Sequence, residues 1–89
     1  MAQVKIPPPY RGPTQGQASI AVEGATVREC IHAVAEAYPG LGELILDTDG
    51  RLQRFVTLFI NGDEVARDDL DAAVTPDDEV EVLAAIAGG

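Results

Sequence analysis

Basic side chains are scarce in this chain of 89 residues: six Lys and Arg stand against fifteen Asp and Glu, a formal net charge of -9. A surface that acidic repels phosphate backbones and anionic lipid, which argues against nucleic acid or a membrane as partner. It favours a protein partner with a basic docking surface, and it also keeps the chain soluble. Cysteine occurs once, as Cys30, so no internal disulfide can form and a reducing cytoplasm is the expected compartment. Histidine also occurs once, as His32. One Cys and one His do not make a metal-ligand cluster of the usual spacing, so no metal is expected. No apolar run approaches the roughly 20 residues of a membrane-spanning helix. Prolines arrive by position 7, and nothing before them resembles a signal peptide. There is no repeat, low-complexity block or linker, so the length describes one small domain. Its 46% hydrophobic content is enough for an ordinary core.

Read in order, Val4 and Ile6 alternate with Gln3 and Lys5 as a first strand, stopped by Pro7-Pro8-Pro9. Tyr10 to Gly16 is a loop. Alternation returns from Gln17 to Glu23, with Ala18, Ile20 and Val22 on one side, and the two strands form an antiparallel hairpin. Thr26 and Glu29 make a capping box. Val27, Cys30, Ile31, Val34 and Tyr38 then follow at helical spacing as one apolar stripe. Arg28, Glu29, His32 and Glu36 lie opposite it, and Pro39-Gly40 ends the helix at Tyr38. Leu41, Leu44, Ile45 and Leu46 suggest a short turn of helix closing one end of the core. Asp47 to Gly50 is a turn. Phe55 to Ile60 is the strongest strand, and Asn61-Gly62 supplies the two positive-φ residues of a tight hairpin. Val65 begins a short edge strand, Asp68 to Val74 connects, and Thr75 to Asp78 turns into a last strand, Glu79 to Leu83. The expected fold is α+β: a mixed four- to five-stranded sheet with one main helix across a face. The last strand is central and parallel to the first, which is the β-grasp arrangement. The folded unit is placed at 1–83, with 84–89 as a flexible tail.

That tail is uncharged and closes on Gly88-Gly89. Neither glycine carries a Cβ, so the stem can enter a slot too narrow for side chains and adopt backbone angles closed to other residues. Fraying is the competing reading. Catalysis by the chain itself finds little support. His32 sits at i,i−4 from Glu36 on the polar helix face, a surface pair rather than half of a dyad. Cys30 has no cation near it in sequence and reads as a buried structural thiol. Asp47-Thr48-Asp49-Gly50 starts like a calcium loop, but its glycine falls at the fourth position rather than the sixth. Asp68, Asp69, Asp71 and Asp77, Asp78, Glu79 form acidic runs, either a solvated face or the counterpart of a basic rim. If Val56, Leu58 and Ile60 face the helix, Phe55, Thr57 and Phe59 turn outward beside Leu83, an exposed patch suited to docking. The opposite parity, or a first loop lying over this face, is the alternative.

Three stretches resemble the ubiquitin-like sulfur carriers of ThiS/MoaD type, the family serving thiamin, molybdopterin and cysteine biosynthesis. Ile6-Pro7 followed by Arg11, Thr14, Gly16 and Gln17 is similar to the extended first hairpin of the actinobacterial-type cysteine-biosynthesis branch. Arg54-Phe55-Val56 through Ile60-Asn61 is similar to that branch's central strand and turn. Asp78-Glu79-Val80 leading into Ala87-Gly88-Gly89 resembles the closing strand and tail of the whole family. Thr57 departs from the branch, where asparagine is expected, and so does Ala85, where proline is common. The resemblance implies that Gly89 is the working group, adenylated by an E1-like partner that uses ATP. A sulfur donor then converts it to a thiocarboxylate, and the sulfur passes to a synthase, of cysteine-synthase type by preference. Leu83, Ile86, Ala87 and Gly88 would be held by the partners, with Phe55 and Phe59 beside them. On this reading the chain binds no cofactor, is a carrier rather than an enzyme, and is a monomer when free. Other readings are the small subunit of molybdopterin synthase, a thiamin-type carrier, a ubiquitin-like modifier forming isopeptide bonds, and an interaction module with an inert tail.

Overall fold

Thr26 opens the main helix as the sequence predicts, and in the computed structural model its neighbours reveal how that end is closed. The structure describes residues 1–7, 10, 12, 16–66 and 69–84. Helix α1 runs from Val27 to Ala37 with Thr26 as N-cap, its hydroxyl accepting from the Glu29 amide at 3.2 Å. The Glu29 carboxylate reaches back to the Ala25 amide at 3.0 Å, one residue before the cap amide that a capping box reaches. The two remaining first-turn amides are taken by the segment before the last strand: Val27 donates to the Ala72 carbonyl at 3.1 Å and Arg28 to that of Leu70 at 2.8 Å. Three of the four amides that a helix start leaves open, those of Val27, Arg28 and Glu29, are thereby satisfied. The connection expected as a loop is a strap over the N-terminus of α1, with Leu70 and Val74 buried beneath it.

Val27, Cys30, Ile31 and Val34 form the buried stripe, as the helical spacing predicts. A second helix, α2, follows directly from Pro39 to Ile45. The proline that cannot continue α1 is suited to the first turn of the next helix, where its missing amide is no loss. The expected single turn is thus a seven-residue helix whose Leu41 and Ile45 are fully buried. Gly42 lets it lie against α1: a Cβ there would stand 2.7 Å from the Ala35 Cβ and 3.0 Å from its Cα.

The sheet contains β1 (Ala2–Lys5), β2 (Ser19–Val22), β3 (Val56–Ile60), β4 (Asp63–Val65) and β5 (Glu79–Ala84), in the order β2-β1-β5-β3-β4. β1 and β2 are an antiparallel hairpin, β5 runs parallel to β1 at the centre, and β3 is antiparallel to both its neighbours. This is the expected β-grasp arrangement. β1 begins and ends one residue earlier than its alternation suggests and β2 is shorter, although Ile6 continues the hairpin by donating to the Ala18 carbonyl at 2.8 Å. Asn61 and Gly62 carry φ of 50° and 91° and turn β3 into β4. Because that turn holds only two residues, β4 starts at Asp63 and ends at Val65 rather than beginning there. β5 extends to Ala84, which pairs with Val56, one residue beyond the boundary expected at 83.

Val4, Val56, Leu58, Val80 and Val82 point from the sheet into the core beneath α1, each at most 1% exposed. Tyr10 joins them at 8% exposure, and burial pushes its phenol upward from the ordinary value. Among the described residues no helix is long and apolar enough to cross a membrane.

Candidate functional site: the root of the tail and the outer sheet face

The central position of β5 is fixed at both ends by residues that look like turn punctuation. At its start, the Asn61 side chain donates to the Asp78 carboxylate at 2.8 Å and accepts from the Glu79 amide at 2.9 Å. The Asn61 amide donates to the Glu79 carbonyl at 2.9 Å, and the second Asp78 oxygen accepts from the Thr75 amide at 2.8 Å. The β3–β4 turn and the turn into β5 are thus latched together. These bonds, first from the Thr75 backbone and then from the Asn61 side chain, hold the Asp78 carboxyl below its usual range. Asp78 is therefore committed to the fold, whereas Asp71 pairs with Arg28 at 3.1 Å and stays exposed. The acidic runs are only in part a free face.

At the other end of β5, Pro7 sets where the parallel ladder stops. Gln3 donates to the Asp78 carbonyl at 3.2 Å and the last aligned pair is Lys5 with Glu81. Stepping in twos, the next rung would require an amide on residue 7 for the Val82 carbonyl, and proline has none. The strands part there, leaving a cleft of about 340 Å³ between Lys5, Ile6 and Pro7 on one side and Glu81, Val82 and Leu83 on the other. β5 continues for three residues supported by β3 alone.

On the outer face, Leu83 is 42% exposed and lies opposite Thr57; Phe55, just before β3, is also 42% exposed. Phe59 is half-buried between Glu64 and Glu81 on the flanking strands. The parity expected for Val56 and Leu58 inward, Thr57 and Phe59 outward, is the one observed. Of the site residues expected from sequence, Phe55 and Leu83 are exposed toward the end of β5, and Phe59 lies further back on the sheet, opposite Glu81 and beside Glu64. Ile86, Ala87, Gly88 and Gly89 lie outside the described residues.

The other candidates stand apart from this face. Cys30 is fully buried, and desolvation together with the Glu29 charge pushes its thiol upward, away from the reactive thiolate. His32 is exposed on the polar side of α1. The Asp47 carboxylate accepts from the amides of Asp49 at 2.8 Å and Arg51 at 3.0 Å, so it closes a turn. Among the described residues no group of three His, Cys, Asp or Glu could hold a metal ion. A larger hollow of about 660 Å³ lies between α1, α2 and this turn. The cleft at Pro7 and the Asn61–Asp78 latch were not anticipated. Pro7 and Asn61-Gly62 were visible as signals, but only strand register shows what they act on.

Residues 5–89 match the ThiS family. The sulfur carrier protein CysO of Mycobacterium tuberculosis H37Rv is 35% identical over 89 residues, covering 97% of this chain and 96% of its own. A putative sulfur carrier protein of Archaeoglobus fulgidus is 34% identical over 76 residues, 84% of this chain and 86% of its own. Among solved structures, the crystal structure of the Amycolatopsis orientalis BexX/CysO complex contains a chain with TM-score 0.84 and 33% identity, all of both chains being covered. The small archaeal modifier SAMP1 of Methanosarcina acetivorans reaches TM-score 0.86 at 21% identity over 99% of this chain and 95% of its own, a likeness of fold alone. With all but the first four residues inside the match, the chain belongs to the ThiS family of ubiquitin-like sulfur carriers.

Proposed function

We propose that this sulfur carrier works through the carboxyl group of Gly89, which partner enzymes convert to a thiocarboxylate. The observation that carries the reading is the likeness to CysO over nearly the full length of both chains. A carboxylate is a poor electrophile because attack adds charge to charge. An E1-like activating enzyme therefore uses ATP to make an acyl-adenylate at Gly89, releasing pyrophosphate. A sulfur donor then displaces AMP and leaves the thiocarboxylate, whose sulfur attacks the acceptor. That acceptor is a synthase of cysteine-synthase type, so the pathway served is cysteine biosynthesis. Catalysis and ATP binding belong to the partners, and this chain is their substrate.

The geometry supports the division of labour. β5 is central and latched at its start, so the tail leaves a fixed point, while Ile86, Ala87 and Gly88 form the slim stem that the partners grip. Phe55, Phe59 and Leu83 dock on an apolar patch of the activating enzyme, and Glu64, Glu79 and Glu81 meet its basic rim. The free chain is a monomer in the cytoplasm, where Cys30 stays reduced.

Mass spectrometry after incubation with the activating enzyme, ATP and a sulfide source tests this. The expected product is heavier by the difference between sulfur and oxygen, with the change confined to the C-terminal peptide. Gly89→Ala, or one residue added after Gly89, abolishes sulfur transfer and leaves the fold intact. Transfer that survives loss of Gly88-Gly89 refutes the proposal.

A further inference from the structure

We infer that the outer edge of β2 takes an extended, basic segment of a partner protein as an added strand; this goes beyond the sulfur-carrier reading and does not depend on it. β2 is the terminal strand on its side of the sheet. The register of the hairpin fixes which way each backbone group points. Ile6 donates to the Ala18 carbonyl, and in steps of two the other hydrogen-bonded pairs are Val4 with Ile20 and Ala2 with Val22. The amides and carbonyls of Ser19 and Ala21, which alternate with these, therefore point away from β1. Among the described residues no backbone group pairs with them on that side.

A free edge of this kind is ordinarily blunted by brevity, charge, proline or a bulge. β4, at the other end of the sheet, follows that rule. It has three residues, two of them acidic, and only Glu64 turns its backbone outward. β2 uses none of these devices: Ser19–Val22 holds four residues with no charged side chain and no proline. Ser19 and Ala21 are short and exposed, which leaves room on the outer side for large side chains of an incoming strand.

Backbone geometry and charge together name the occupant. A row of outward amides and carbonyls at two-residue spacing is matched by extended backbone, whose own groups repeat at the same interval. Charge then selects the side chains. Glu23 is exposed at the end of the edge and forms no ion pair among the described residues, and the chain carries a net charge of -9. A basic segment is drawn to it, whereas a second copy of the chain brings the same negative charge against it. The added strand lies three strand spacings from β5, about 14 Å. A partner held there and one docked on the outer face at Leu83 therefore use different strands of the sheet.

The test titrates the isotope-labelled full chain with a capped peptide of alternating valine and arginine, followed by NMR. The expected result is movement of the Ser19 and Ala21 amide signals, with their exchange against solvent slowed by at least about tenfold at saturation. The same peptide N-methylated throughout keeps its charge, loses every backbone donor and leaves these signals unmoved. Ala21→Pro removes an amide that the β1 ladder does not use, so the hairpin tolerates it, and it weakens binding roughly two- to tenfold. Should that variant fail to fold, the N-methylated peptide on the natural chain still decides the matter. Equal binding of the N-methylated peptide, shifts centred on Glu64 or on Leu83, the absence of binding, or protection of Ala21 that grows with protein concentration alone overturns the inference.

Discussion

Replacing Gly42 by alanine sets two effects against each other with opposite signs. In the middle of α2 the substitution favours the helix by up to about 1 kcal/mol, because glycine has more backbone freedom to lose. The added methyl, however, would stand 2.7 Å from the Ala35 Cβ and 3.0 Å from its Cα, against a normal carbon contact of about 3.5–4.0 Å. Neither atom is the far end of a flexible side chain, so α1 and α2 must separate along a contact beside the fully buried Leu41 and Ile45. Overpacking of that kind costs about 1–3 kcal/mol, which outweighs the propensity gain. With the full propensity gain set against it, the net loss reaches about 2 kcal/mol, or roughly 8–16 °C in the melting midpoint of a domain this size. Thermal and urea denaturation of Gly42→Ala, Ala35→Gly and the double variant form the assay. Ala35→Gly alone costs up to about 1 kcal/mol as a helix glycine, but it removes the shorter contact. On its background the Gly42→Ala penalty shrinks, giving a coupling of at least about 0.5 kcal/mol. A Gly42→Ala protein as stable as the natural chain, or strictly additive variants, would refute the steric reasoning.

Two further predictions concern the platform and its face. Phe55→Ser and Leu83→Thr, both at positions 42% exposed, leave the melting midpoint nearly unchanged but raise the activating enzyme's KM for the carrier. Loss of one hot-spot contact of about 1–2 kcal/mol corresponds to roughly five- to thirtyfold, and an unchanged KM excludes this face as the dock. Asp78→Asn tests the latch through pH. The native carboxyl is held below its unfolded value by the Thr75 amide and the Asn61 side chain, so its contribution is present above the unfolded pKa of about 3.9. It is lost as pH falls through the lower folded value. The variant is therefore less stable at neutral pH, and its deficit narrows on acidification below roughly pH 4. A deficit constant across that range contradicts the assignment.

What could be read from the sequence divides by the range over which each signal acts. Thr26 with Glu29, the helical stripe from Val27 to Val34, the alternation of Val56 to Phe59 and the Asn61-Gly62 turn are set within a few residues, and the structure reproduces them. Gly42 gave no such signal, because its requirement for hydrogen at Cβ comes from Ala35 on another helix. Tyr10 read as part of a loop because its burial depends on the core it meets, not on its neighbours in the chain. The strap read as a connection because its carbonyls serve amides of α1 some forty residues earlier. The candidate site obeys the same rule. Gly88 and Gly89 announce themselves by what they lack, and period-two alternation turns Phe55 and Phe59 outward without knowledge of any partner strand. The residues that position the root of the tail are less conspicuous. Pro7 looks like a strand breaker and Asn61 and Asp78 like turn formers, and each is that locally. Register shows their other role: Pro7 frees the end of β5 from β1, while Asn61 and Asp78 fasten its beginning to the β3–β4 turn. A strand fastened at its start and released on one side at its end fixes the point from which the tail departs. That point is set by residues far from Gly89 in the chain, none of which carries the chemistry itself.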